Sequence, residues 1–244
     1  MDWQDEGVLI SMRAHGEASA IIEVFTAAHG RHAGVVRGGG SRKMAATLQP
    51  GTQLAVTWRA RLEDHIGSYA VEPLQSRAAL LGDRLGLAGL TAICAMLRTA
   101  LAEREAHPPL WRATMALLAA LEHDPDWPVR YLRWELMLLE ELGFGLDLGR
   151  CAVTGARDDL AYVSPNTGRA VSRAGAGDWA DRLFPLPECM MGQGPASGVE
   201  IGQGLAITGH FIARELMQGL GNRALPEARH RLIRLLEKRP DQGD

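Results

Sequence analysis

The stretch Pro50-Gly51-Thr52-Gln53-Leu54-Ala55-Val56-Thr57-Trp58-Arg59-Ala60-Arg61 decides the fold of the first third of the chain. Pro50-Gly51 is a turn signal. After it Leu54, Val56 and Trp58 alternate with Thr57 and Arg59. Side chains on a strand point to opposite faces in turn, so Arg59 and Arg61 project away from the face that packs. The same signal recurs on both sides. Val8, Ile10 and Met12 alternate with Leu9, Ser11 and Arg13, and Ala20 to Phe25 is rich in β-branched residues. His29-Gly30 is a turn, Ala33 to Arg37 a third strand, and Gly67 to Val71 a shorter fifth one that Pro73 ends. Five short strands with turns between them predict a small antiparallel barrel over residues 1–77. The commonest five-stranded solution is the OB-fold, whose open face and loops often hold oligonucleotides.

From about residue 78 the period becomes helical. Leu90, Ile93, Cys94, Leu97 and Leu101 form one stripe. Trp111, Met115, Leu118 and Leu121 form another after Pro108-Pro109, and Val129, Leu132, Leu136 and Leu139 a third that Gly143 stops. Apolar stripes must be buried against one another, which predicts a helical domain beginning with residues 78–148. Residues 149–198 are rich in turn dipeptides, with short strands expected at 161–163 and 170–172. They read as an irregular insertion without a core of its own. The helical pattern resumes over 199–240 with Ile207, Phe211, Ile212, Leu216 and Leu220, then Leu232, Ile233 and Leu236. The last helix places Arg231, Arg234 and Lys238 on one face. The class is therefore α+β, multidomain.

Charge is unevenly distributed. The chain carries 26 Lys and Arg against 29 Asp and Glu, a net charge of −3, which by itself argues against a nucleic-acid partner. Between Glu23 and Glu63, however, there is no carboxylate, while Arg31, Arg37, Arg42, Lys43, Arg59 and Arg61 all fall there. Such a stretch is either a solvated strand face or an anion-binding surface. Three widely spaced cysteines, Cys94, Cys151 and Cys189, argue against a disulfide framework. No secretory signal and no membrane span are expected, which suits the cytoplasm.

Motifs for bond chemistry are missing. Gly38-Gly39-Gly40-Ser41-Arg42-Lys43 lacks the Gly-Lys-Ser/Thr of a phosphate-binding loop. It serves equally as a mobile hairpin loop or as a glycine loop whose amides and two cations meet a phosphate backbone. Cys151 has Thr154 where a second cysteine of a metal knuckle would stand. Ser172-Arg173-Ala174-Gly175 has the outline of the partner knuckle without its sulfurs, so four-donor zinc binding is not expected. His29 and His32 flank a turn and read as surface groups. No catalytic grouping can be assembled, and no enzyme activity or cofactor is expected. Arg130 and Arg133 beside Tyr131 and Trp134 are residue types that anchor acidic, hydrophobic peptides. Composition alone favours a core tryptophan with solvated arginines.

Several motifs together resemble one family. They are Asp5-x-Gly7-Val8-Leu9, His15-Gly16-Glu17, Val24-Phe25-Thr26, His29-Gly30-Arg31, Leu48-Gln49-Pro50-Gly51, Trp58-Arg59-Ala60-Arg61 and Glu72-Pro73. Arg133-Trp134-Glu135-Leu136, Leu138-Leu139, Leu142-Gly143-Phe144 and Cys151 continue the series. Their order and spacing resemble RecO, the bacterial recombination mediators. The resemblance implies an N-terminal OB-fold and a helical domain interrupted by a zinc-finger-like module, degenerate here because only Cys151 remains. It implies binding of single- and double-stranded DNA, strand annealing, and recombinase loading with RecR on DNA coated by single-stranded-DNA-binding protein. The acidic C-terminal tail of that protein would dock near Arg130 and Arg133. Arg37, Arg42, Lys43, Arg59 and Arg61 would meet DNA. An RNA-binding OB-fold adaptor, or a protein adaptor without nucleic acid, are the alternatives.

Overall fold

A computed structural model describes residues 1–62, 64–193, 196–218 and 224–238; Leu220 and the end of the expected last segment lie outside them. Two compact units are present, Met1–Asp124 and Pro125–Asp244.

In the first unit, strands β1 (Asp2–His15), β2 (Ser19–Thr26), β3 (Gly30–Val36), β4 (Gln53–Arg59) and β5 (Ser68–Gln75) close into a barrel in the order β1-β2-β3-β5-β4. Long antiparallel ladders join β2 to β1 and β3, and β4 to β1 and β5. Closure itself rests on one parallel pair, Val35 with Ser68. Leu9, Ile22, Val24, Leu54, Val56, Trp58 and Tyr69 fill the interior. The alternation read from Leu54 to Arg59 is therefore the inside–outside alternation of the barrel wall. On β2 the other face is buried as well, through Ile21 and Phe25. That is why Ala20 to Phe25 reads as a continuous apolar run rather than an alternating one.

Pro73 does not end β5; the strand runs through it to Gln75, opposite Leu54, beside an irregularity in register at Gln53 and Leu54. β3 touches β5 only at Ser68, so the missing amide of Pro73 removes no pairing on that side.

A short helix α1 (Arg42–Ala45) lies between β3 and β4. Helices α2 (Arg84–Ala100) and α3 (Pro108–His123), expected from sequence to open a helical domain, belong to the same compact unit as the barrel. The α2 stripe is buried as read. In α3 the buried positions are Leu110, Thr114, Leu117, Leu118 and Leu121, with Trp111 and Met115 only partly covered.

The second unit holds α4 (Trp127–Glu141), the strands β6 (Leu160–Val163), β7 (Ala170–Ser172) and β8 (Phe184–Pro185), the short α5 (Arg173–Ala176), and helices α6 (Gly198–Gln218) and α7 (Glu227–Leu236). The expected β6–β7 hairpin is present, extended by β8 into a three-stranded sheet. Residues 151–183 do have a small core of their own, in which Cys151, Val171 and Ala176 are packed by Ala156, Leu160, Tyr162 and Leu183. Sequence reading missed it because the contributing apolar residues are scattered among turns and carry no period. The hairpin tip is gripped from α6: Arg214 Nη1 donates to the Asn166 carbonyl at 3.1 Å, and the His210 ring lies 3.0 Å from the Pro165 carbonyl.

A cationic groove on the barrel

Arg37, Arg59 and Arg61 are exposed and line one shallow, open groove together with Val35, Ala60, His65, Ile66, Gly67 and Ser68. The geometry follows from barrel closure. The end of β3, the end of β4 and the start of β5 meet at the Val35–Ser68 seam, with Arg59 paired in register to Ser68. Side chains nearly 25 residues apart are thereby collected around one depression. Arg42 and Lys43 are exposed on α1, within the β3–β4 connection that Arg37 opens, and are not part of the groove lining.

Arg31, which belongs to the same carboxylate-free stretch, is not available to an anion. Its guanidinium pairs with Glu23 and with Glu103 at 3.4 Å, and Arg98 reaches Glu23 at 3.0 Å. Burial pushes the Glu23 carboxyl up, but hydrogen bonds from Arg31 and Ser11 outweigh it and hold the group below its usual value. The carboxylates missing from the local sequence are thus supplied by the neighbouring strand β2 and by the segment after α2.

His32 is buried rather than exposed, edge-on to Trp58 at 4.7 Å. Burial drives its pKa down to about 4. His29 stacks flat on Trp3 at 3.9 Å, and its Nδ1 lies 3.2 Å from Asp5.

In the second unit Arg130 and Arg133 are exposed on α4, whereas Tyr131 and Trp134 are buried and stack on each other at 5.7 Å. The aromatics are therefore core, and only the two arginines face outward. Behind them sits a polar cluster that sequence reading missed. Glu135 is fully buried and accepts from Arg229 of α7 at 2.7 and 2.8 Å, and Thr208 of α6 donates to the same carboxylate. Arg229 also donates to the Leu205 carbonyl. Burial works against the Arg229 charge, but the Glu135 carboxylate beside it holds its pKa above the ordinary value.

The four positions of the knuckle pattern do converge. Cys151 Sγ accepts from Ser172 N at 3.2 Å, Ser172 Oγ at 3.3 Å, and the amides of Val153 and Thr154 at 3.4 Å. Thr154 Oγ1 lies 3.5 Å from Ser172 Oγ, and a Cβ at Gly175 would stand 2.8 Å from the sulfur. One sulfur, two hydroxyls and a glycine do not fit tetrahedral zinc, which needs four nitrogen, sulfur or carboxylate donors. Among the described residues no other grouping of His, Cys, Asp or Glu could hold a metal. What the site holds instead is a polarised sulfur. Burial raises the thiol pKa, but donation from Ser172 and Thr154 outweighs it and brings the value to about 6. A folded pKa below the unfolded value adds stability that is complete above the unfolded value and is lost as pH falls through about 6. Cys151→Ala is therefore expected to cost more at pH 8.5 than at pH 5.5. Urea unfolding at both pH values measures this, and an equal cost at both would show a neutral thiol.

The architecture is that of a two-unit α+β protein whose barrel carries a cationic groove. Residues 1–77 match the family described as Recombination protein O N terminal, and residues 81–224 match Recombination protein O C terminal. The chain is 69% identical over 238 residues to a DNA repair protein RecO of Cereibacter sphaeroides, covering 98% of this chain and 99% of that one. It is 58% identical over 240 residues to the RecO protein of Ruegeria sp., covering 98% and 100%. A Jannaschia sp. RecO protein is 56% identical over 245 residues, covering 100% and 99%. The chain belongs to the RecO family. Among the described residues no helix is long and apolar enough to cross a membrane.

Proposed function

We propose that this protein is a non-enzymatic recombination mediator in DNA repair, acting in the cytoplasm at the nucleoid. The observation that carries the reading is the convergence of Arg37, Arg59 and Arg61 on one open groove of a five-stranded barrel. The strand order and the parallel β3–β5 seam suit an OB-fold, an architecture whose faces and loops take oligonucleotides. The groove takes the phosphate backbone of single- and double-stranded DNA, and Arg42 and Lys43 add contacts from α1. Backbone contacts carry no sequence information, so base identity matters little. Annealing of complementary strands then requires only that two strands be held with their repulsion screened.

In this reading residues 1–77 bind DNA, α2 and α3 complete the same unit, and α4, α6 and α7 are the helices of the second unit. Residues 149–198 form a zinc-finger-like insertion that keeps its shape through the hydrogen-bonded Cys151 sulfur. Arg130 and Arg133, outward on α4, receive the acidic tail of single-stranded-DNA-binding protein, and RecR is the partner in recombinase loading.

Fluorescence anisotropy of a labelled single-stranded oligonucleotide, titrated at several salt concentrations, tests the reading. Three to five neutralised phosphates predict a log–log salt slope of about −2 to −3.5. No binding at low salt would leave the barrel without a nucleic-acid role.

A further inference from the structure

The groove has a rim that its three arginines do not explain. The loop between β4 and β5 places Ile66 at the groove, 41% exposed, and carries Leu62, 57% exposed. Apolar side chains left in water beside cations suit a ligand that is both anionic and apolar.

The loop is also held from two sides. From within the barrel, Trp58 Nε1 donates to the Ile66 carbonyl at 3.1 Å. Gly67, at φ +65°, lies so close over the Trp58 ring that an added Cβ would stand 2.5 Å from it. From outside the barrel, Arg104 Nη2 donates to the His65 carbonyl at 3.0 Å. Arg104 belongs to the segment after α2, far from the loop in sequence, and pays for that reach with its backbone. Its φ is +65°, a left-handed conformation that residues other than glycine rarely adopt. The conformation is fixed by the Arg104 amide donating to the Arg31 carbonyl at 2.8 Å and by the Arg31–Glu103 bridge. Gly30 permits this approach, because a Cβ there would collide with the Glu105 carbonyl. A strained arginine thus ties the docked segment to the lip of the groove.

We propose that Arg104 is a positioning residue, holding the β4–β5 loop so that Ile66 meets the unstacked bases of a single-stranded nucleic acid in the groove. The inference rests on the DNA-binding reading above. Its added content is the apolar contact from Ile66 to the bases and the residue that positions it. A duplex hides its base faces within the stack and offers Ile66 only phosphate and sugar. A single strand offers both phosphates for the arginines and free base faces for the apolar lip.

The test compares wild type, Arg104→Gly, Ile66→Ser and the double variant, by anisotropy against a single-stranded oligonucleotide and a duplex of the same length at matched salt. Glycine accepts φ +65° without strain, so Arg104→Gly keeps the backbone path while removing the guanidinium. Each single variant is expected to weaken single-strand binding about fivefold or more, and duplex binding by a clearly smaller factor. The double variant is expected to be no weaker than the poorer single one, because Arg104 acts through the position of Ile66. The salt slope of Arg104→Gly is expected to match wild type. Equal losses on both ligands with a slope reduced by about 0.7 would make Arg104 a phosphate contact and overturn the proposal. Additive losses, or none, would overturn it too. A wild type without salt-dependent binding would instead remove the groove's DNA-binding role itself, before any variant is compared.

Discussion

Arg59→Glu combined with Arg61→Glu is expected to weaken single-stranded DNA binding by at least about a hundredfold at low salt, with the fold intact. Two cations leave the groove and two anions enter it. Every phosphate held there then meets repulsion where it met attraction. The fold should survive because both side chains are exposed, at the end of β4 and just beyond it. Neither belongs to the barrel core, and the ladder opposite Asp2 and Ser68 is made by backbone. Arg42→Glu with Lys43→Glu on α1 is expected to reduce affinity as well, by a smaller factor, since these residues lie off the groove lining. The ordering of the two variants is the informative outcome. An α1 variant with the larger loss would move the main DNA contact from the groove to the glycine loop. Circular dichroism of both variants checks that the barrel is retained.

Arg229→Ala is expected to destabilise the second unit by about 3–5 kcal/mol, the usual cost of stripping one partner from a buried ion pair. Glu135 is wholly buried, and Arg229 is 3% exposed. Without the guanidinium the carboxylate loses two charge-assisted hydrogen bonds and keeps the weaker, neutral Thr208 hydroxyl, in a buried site. The three groups come from α4, α6 and α7, so the loss is felt as loosening of α7, whose other buried residues include Leu232 and Leu236. Replacing both charges, as in Glu135→Leu with Arg229→Met, is expected to recover most of the stability, because no lone charge is left buried. Urea unfolding of the single and double variants measures both effects. A single variant within about 1 kcal/mol of wild type would mean that water reaches Glu135.

Sequence and structure agree where one physical signal dominates. The barrel strands were legible because burial on one side writes a period of two into Leu54–Arg59. The same alternation placed Arg59 and Arg61 outside. That they share a groove with Arg37 could not be read, because it depends on which strands close the barrel, a non-local choice. On α6 the stripe Ile207, Phe211, Ile212 and Leu216 is buried as read, but on α4 a buried polar group shifts the register. On α4 the stripe was read through Val129 and Leu136, both only partly covered, because the buried positions include Glu135, a residue type assigned to the surface. Arg229 on α7 was overlooked for the same reason. His32 and Arg31 show the same error, since polarity and local charge suggest exposure, whereas His32 packs on Trp58 and Arg31 pairs with Glu23 of the neighbouring strand β2.

The barrel is not equally strong all the way round. Four of its five junctions are ladders of many pairs, while the fifth is the single Val35–Ser68 pair, backed by the Val35 amide donating to Gly67 at 3.1 Å. That weakest joint runs along the floor of the groove, since Val35, Gly67 and Ser68 all line it. A nucleic-acid strand bound as proposed would span this joint, between Arg37 at the end of β3 and Arg59 at the end of β4. If the groove binds DNA as proposed, occupancy would stabilise the barrel at this joint, because a ligand that binds only the closed form favours it.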